Sequence, residues 1–142
     1  MADFDLIIRG KRVITRAGEV PRCVAVRDGV VVAIEPLESR LEGTQTVDLA
    51  DDEVLLPGLV DTHVWMAQRP AEIARLQHKG RIERGYHANF AVFAPDDAFV
   101  IDPGRLHHRN PVTPYAQRAL AGVVRSTWLR GRRVTATNPG GR

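Results

Sequence analysis

The sequence predicts a mainly β fold, and three observations carry that prediction. Short apolar stretches follow a two-residue period, as where Phe4, Leu6 and Ile8 share one strand face and Asp5, Ile7 and Arg9 the other. Tight-turn residues punctuate these stretches, above all Asp28-Gly29, since both central residues of a type I′ turn need positive φ. Four of the five residues from Val30 to Ile34 are Val or Ile, which suit a pleated surface better than a helix.

Taken in order, Phe4 to Ile8 and Arg12 to Thr15 read as a first hairpin, with Gly10-Lys11 at its corner. Cys23 to Arg27 and Val30 to Ile34 form a second hairpin around Asp28-Gly29. Glu35 to Gly43 carries Pro36 and is compatible with either a loop or one helical turn. Thr46 to Leu49 and Glu53 to Leu56 are two further strands around the acidic turn Ala50-Asp51-Asp52, so the first 56 residues predict about six antiparallel strands. Pro70 suits the first position of a short helix carried by Ile73 and Leu76, with Gln77 in phase, and ended by Gly80. Ala91 to Ala94 and Ala98 to Ile101 predict a hairpin turning at Pro95-Asp96-Asp97, and Leu120 to Leu129 a long strand turning at Arg130-Gly131 into Arg133-Val134-Thr135. The three prolines between Asp102 and Pro114 exclude a regular element there. Ile8-Arg9-Gly10-Lys11-Arg12-Val13 is echoed by Leu129-Arg130-Gly131-Arg132-Arg133-Val134, which predicts two similar hairpins near the two chain ends.

Composition narrows the function. The chain has 142 residues, enough for one domain and one core. A complete (β/α)8 barrel typically takes about 250 residues. The formal charge is +3, and the one basic cluster, Arg130, Arg132 and Arg133, sits at a turn with no aromatic platform, so nucleic-acid binding ranks last among the readings. Cys23 is the single cysteine, which excludes an intramolecular disulfide and reads as a small buried thiol. No stretch reaches the ~20 apolar residues of a membrane span, and the N-terminus lacks a signal-peptide layout, so a soluble cytoplasmic protein is expected.

The stretch Leu55 to Trp65 runs apolar residues, a Pro57-Gly58 corner, more apolar residues, then Asp61 and His63. Residues two apart in a strand share a face, so His63 and position 65 would project together, where a His-x-His pair could hold a metal. Trp65 offers no lone pair for that purpose.

Residues 4 to 65, with DLIIRGKRVIT, VAVRDGVVVAI and LLPGLVDTHV, resemble the N-terminal part of cyclic amidohydrolases such as allantoinase, dihydropyrimidinase and dihydroorotase. Residues 77 to 134, with KGRIERGYHANFAVF, LHHRNPVTPY and GVVRSTWLRGRRV, resemble the C-terminal part of allantoinases. The resemblance implies a β-sandwich composite domain without its catalytic barrel. It would comprise residues 1–136, with an N-terminal segment 1–65, a bridge and helix 66–79, a C-terminal segment 80–136, and a disordered tail 137–142. It also implies a metal centre in the family, of whose ligands only His63 stands here; at His87 and Asn89 the family pattern carries acidic residues, which puts their loop-fixing role in doubt. Asp61 is expected to serve its turn, and His107-His108, adjacent in extended chain, make a poor chelate.

No catalytic residue, metal site or cofactor is therefore assigned. The expected function is a non-catalytic, allantoinase-like protein acting through assembly or binding, as a homodimer or with a full-length amidohydrolase. Leu59, Val60, Val64 and Trp65 are the interface candidates. The alternative is a metal-dependent hydrolase of cyclic amides or ureides assembled across a dimer, drawing ligands from His63, His87, His107, His108 or Asp61.

Overall fold

The computed structural model describes residues 3–58, 75–105 and 113–135. Strands β1 (Phe4–Thr15), β2 (Gly18–Arg27), β3 (Val30–Glu35), β4 (Gly43–Asp48) and β5 (Val54–Pro57) come first. Strands β6 (Phe90–Val100), β7 (Ala119–Leu129) and β8 (Arg132–Arg133) follow, and one 3-10 turn, Pro103–Arg105, is the only helical element among the described residues. All eight strands join in one mixed sheet in the order β3-β2-β1-β5-β6-β7-β8, with β4 also beside β1. The chain is mainly β.

Two sheets of a sandwich are not seen as separate bodies. Between named strands, the half built from β1 to β4 pairs with the half built from β5 to β8 at one register position, Val13 opposite Leu55, while Val30 also bridges His87 in the segment that enters β6. Leu6, Ile8, Val24, Val26 and Val31 from the first half nevertheless share one buried cluster with Leu55, Phe90, Val92 and Trp128 from the second. Burying such side chains fully contributes about 1.5–3 kcal/mol each, so this shared layer holds the halves together far more firmly than these pairings do. The opposite face of β1 and β2 builds a smaller cluster from Ile7, Cys23 and Ala25, covered by Phe4, Val32 and Leu41. β1 is thus buried on both faces, which explains why Ile7 breaks an otherwise clean alternation.

Five expectations need correction. The first strands are not all antiparallel, because β4 and β5 both run parallel to β1. A parallel partner needs a crossover, and the segment after β3 supplies one, opening with a turn in which Ser39 N donates to Pro36 O at 3.0 Å. Gly10-Lys11 is no corner, since β1 runs through it and the chain turns at Arg16-Ala17. Between the pairs Gly10–Arg22 and Val13–Val20, β1 carries one extra residue, a bulge beside Pro21, which has no N–H to offer a ladder. The bulge shifts the phase of the strand, so that Leu6 and Ile8 before it and Val13 after it reach the same core.

Pro95-Asp96-Asp97 is likewise a bulge and not a turn. β6 pairs with β7 on both sides of it, Ala94 with Val123 and Ala98 with Ala121. Lastly, the helix expected from Pro70 to Gly80 does not run through its second half. Residues 75 to 80 are turns and bends, and Arg75 (φ 52°) and His78 (φ 59°) take left-handed conformations that no right-handed helix contains. The echo at the two chain ends also shifts: the turn that matches Arg130-Gly131 (φ 50° and 73°) is Asp28-Gly29 (φ 52° and 73°).

Candidate functional site

His63, Trp65, Leu59, Val60, Val64, Asp61, His107 and His108 all lie outside the described residues. The described chain does show the corner that leads toward the first of them. Gly58 N donates to Asn89 O at 2.6 Å, and a Cβ on Gly58 would come within 2.8 Å of Asn89 Cβ. Only glycine permits that approach, so the Pro57-Gly58 corner is fixed against the segment that enters β6.

Asn89 fixes a second turn. Its side-chain Oδ1 accepts from Arg130 N at 2.9 Å, Gly131 N donates to Ala88 O at 2.8 Å, and Ala88 N donates to Gly29 O at 2.9 Å. The resemblance left a loop-fixing role at this position in doubt; Asn89 fixes the turn here through its amide oxygen. These bonds set the turns Asp28-Gly29 and Arg130-Gly131 against each other, with a Cβ position on Gly29 only 3.0 Å from Arg130 Cβ. A groove of about 810 Å³ opens beside them, lined by Asp5, Asp28, Leu129, Arg130, Arg132 and Arg133 among others.

Beside this groove stand His78, Tyr86 and His87. The His78 ring meets Tyr86 edge-on at 5.8 Å and lies 6.3 Å from the His87 ring, while His87 N donates to His78 O at 2.8 Å. His87 Nδ1 is buried with no hydrogen-bond partner. Desolvation first, then the charges of Arg130, Lys79 and His78, holds the His87 imidazole below the ordinary histidine value, so the neutral ring is favoured. Two histidines do not make a hydrolytic metal set, which usually takes three protein ligands. Among the described residues, no three His, Cys, Asp or Glu side chains are placed to hold a metal ion. Cys23 is buried, and desolvation pushes its thiol up against the lowering effect of Arg9, which fits a packing role.

Sequence reasoning missed Arg125. From β7 it reaches Asp52 at 2.7 Å, Asp97 at 2.7 Å and Glu53 at 3.2 Å, tying the β4–β5 turn to the β6 bulge. The hydrogen bonds to Asp97, Asp52 and Glu53 raise its already high pKa further. The acidic pairs Asp51-Asp52 and Asp96-Asp97 were visible as turn residues, but only strand register shows that they flank one arginine.

Comparison with known proteins now bears on this arrangement. The amidohydrolase family matches residues 65–135, half of the chain. The chain belongs to the amidohydrolase family. Allantoinase of Streptomyces avermitilis is 52% identical over 88 residues, covering 59% of this chain and 20% of that protein. Allantoinase of Salmonella paratyphi B is 38% identical over 66 residues, covering 46% of this chain and 15% of that protein. This amidohydrolase-family chain thus spans at most about a fifth of the length of these relatives. Among solved structures, the L-hydantoinase (dihydropyrimidinase) of Arthrobacter aurescens matches 43% of this chain and 13% of its own at 34% identity, with a TM-score of 0.38. No helix among the described residues is long and apolar enough to cross a membrane.

Proposed function

We propose that this amidohydrolase-family chain acts without catalysis of its own, through assembly with a second copy or with a full-length amidohydrolase. The observation that carries the reading is the outer half of the β6–β7 ribbon. Phe99, Val100 and Leu120 are exposed there, Val100 by 58%, and Tyr115 is exposed in the turn leading into β7. Apolar side chains gathered on one arm of a small protein are typical of a contact surface. The test mixes the purified chain with full-length Streptomyces allantoinase and measures mass by light scattering. A complex, or a dimer of the chain alone, supports the reading. A monomer that ignores the enzyme at every concentration overturns it.

A second reading, a metal-dependent hydrolase of cyclic amides or ureides completed across a dimer, is favoured by the 52% identity to an allantoinase. It requires near-stoichiometric zinc, iron, cobalt or manganese in the purified protein together with ureide hydrolysis. Metal-free protein that still assembles excludes it.

A further inference from the structure

The sheet has several edges, and among the described residues all but one are covered, broken or very short. The β3 edge is covered by the segment that enters β6: Val31 N donates to Tyr86 O at 2.9 Å, Gly85 N donates to Val31 O at 2.8 Å, and Arg84 Nε donates to Val32 O at 3.0 Å. The β6 edge beyond β5 is interrupted by the bulge at Pro95-Asp96-Asp97, and β8 is two residues long. The β7 edge beyond β8 is broken by Gly122 at φ 92° and by Arg125, the extra residue between the pairs Val124–Phe93 and Ser126–Val92. Covering segments, prolines and bulges stop a further strand from adding to an edge. The β4 strand has none of them. It pairs with β1 alone among the described residues, keeps one register from Phe4–Gly43 to Arg9–Asp48, and exposes Thr44, Gln45 and Thr46 in succession.

Beside this open edge lies a cleft of about 180 Å³. Residues two apart share a strand face, so Gln45 and Val47 line it together, followed by Leu49, while Val92 and Trp128 form its far wall. Thr44, Thr46 and Asp48 alternate with them and stand on the other face, where Asp48 meets Arg9 at 3.8 Å. A strand added alongside β4 would therefore turn alternate side chains toward a cleft with room for one aliphatic group, and the others toward hydroxyls and a carboxylate. Charge selects the second set. From Leu41 to Glu53 the chain carries Glu42, Asp48, Asp51, Asp52 and Glu53 and no lysine or arginine, and Glu38 and Arg40 just before offset one another. Lys11 meets Asp51 at 2.7 Å, and the single guanidinium of Arg125 is shared by Asp52, Glu53 and Asp97. Even with Arg9 and with Arg133 at the cleft, carboxylates outnumber cations along β4 and the turn after it.

We propose that β4 accepts, by edge pairing, an extended peptide of a partner protein in which aliphatic and basic residues alternate. This edge is separate from the β6–β7 arm, and the proposal stands whether or not that arm associates. The probe is a capped, fluorophore-labelled peptide of alternating lysine and valine, followed by fluorescence anisotropy, with the peptide of alternating glutamate and valine as its control. Saturable binding of the lysine peptide is expected, at least about tenfold tighter than that of the glutamate peptide. Methylating the backbone nitrogens of alternate residues removes the donors from one side of the peptide only. One methylation register should therefore abolish binding and the other leave it within about threefold. The double variant Thr44→Lys, Thr46→Lys, at two exposed positions of β4, should weaken the lysine peptide about fivefold through like charges across the new pair. Phe99→Ser, Val100→Lys, which alters the arm alone, should leave binding unchanged. The methylated peptides keep the test decisive even if the threonine variant folds poorly. No saturable binding of the lysine peptide, equal binding of the glutamate peptide, or the same effect of both methylation registers would overturn the proposal. So would an unweakened affinity in folded Thr44→Lys, Thr46→Lys, or loss of binding in the arm variant.

Discussion

The two halves of the β6–β7 ribbon are made of similar residues and have opposite fates. In the inner half, Phe90, Val92 and Trp128 lie in the core that both sheet halves share, and Phe90 is 1% exposed. In the outer half, Phe99 is 40% exposed, and Val100 and Leu120 stand with it. The dividing line is the bulge at Pro95-Asp96-Asp97 opposite Gly122, where the register shifts. Gly122 has φ +92°, and a Cβ there would overlap the Phe93 ring, so the ribbon bends over a glycine that no other residue can easily replace. Composition alone does not separate a core strand from an exposed one; what separates them is whether another layer lies over the side chains.

The largest effect that should expose this contrast is on stability. Phe90→Ala is expected to cost about 3–5 kcal/mol in urea unfolding, the range for deleting a buried aromatic ring. Phe99→Ala should cost less than about 1 kcal/mol, as for an exposed site. Equal costs at the two positions would erase the distinction between core and arm. Next in size is Gly122→Ala, which forces a Cβ into both a left-handed backbone and the Phe93 ring. It should lower stability by about 1–3 kcal/mol, measured by the same unfolding curves. Asn89→Ala removes the acceptor for Arg130 N and should cost about 1 kcal/mol. Asn89→Asp, which restores the residue type expected of the family, keeps an acceptor and should lose less.

The smallest effect is a pH dependence at the inner end of the ribbon. The folded-state pKa of His87 lies below its unfolded value, so the unfolded chain takes up a proton that the folded chain refuses. Stability from this source is fully present above about pH 6.5 and is lost as pH falls from there through the lowered folded-state pKa. Thermal melts across this range should show the acid-side loss in the parent chain and a flatter profile in His87→Asn. Identical profiles would mean that burial at His87 carries no penalty for its charged form.

Much of this architecture was legible in the sequence, and the failures have physical causes. Asp28-Gly29 was readable as a turn because both central positions of a type I′ turn select residues that tolerate positive φ, whereas at Arg130-Gly131 only the glycine gave that signal. Gly10 looked like a corner by the same local rule, yet it marks a close approach: a Cβ there would lie 3.0 Å from Leu49 Cδ1. Proline with two aspartates reads as a turn at Pro95, but pairing with β7 on both sides turns the same residues into a bulge. The parallel placement of β4 and β5 beside β1 is set by contacts between distant segments and leaves no local signature. At the candidate site, the resemblance marked positions 87 and 89 as departures from the family pattern, but the bond from Arg130 N to Asn89 Oδ1 depends on tertiary geometry.

The central claim, that the outer β6–β7 arm is a contact surface, is tested most directly by sedimentation equilibrium of the chain alone and mixed with full-length Streptomyces allantoinase. It is compared with the double variant Phe99→Ser, Val100→Lys. The account predicts association in the parent chain, with itself or with the enzyme, and its loss in a variant that remains as stable to urea. Association unchanged by the substitutions, or a parent chain that stays monomeric and unbound throughout, would contradict it.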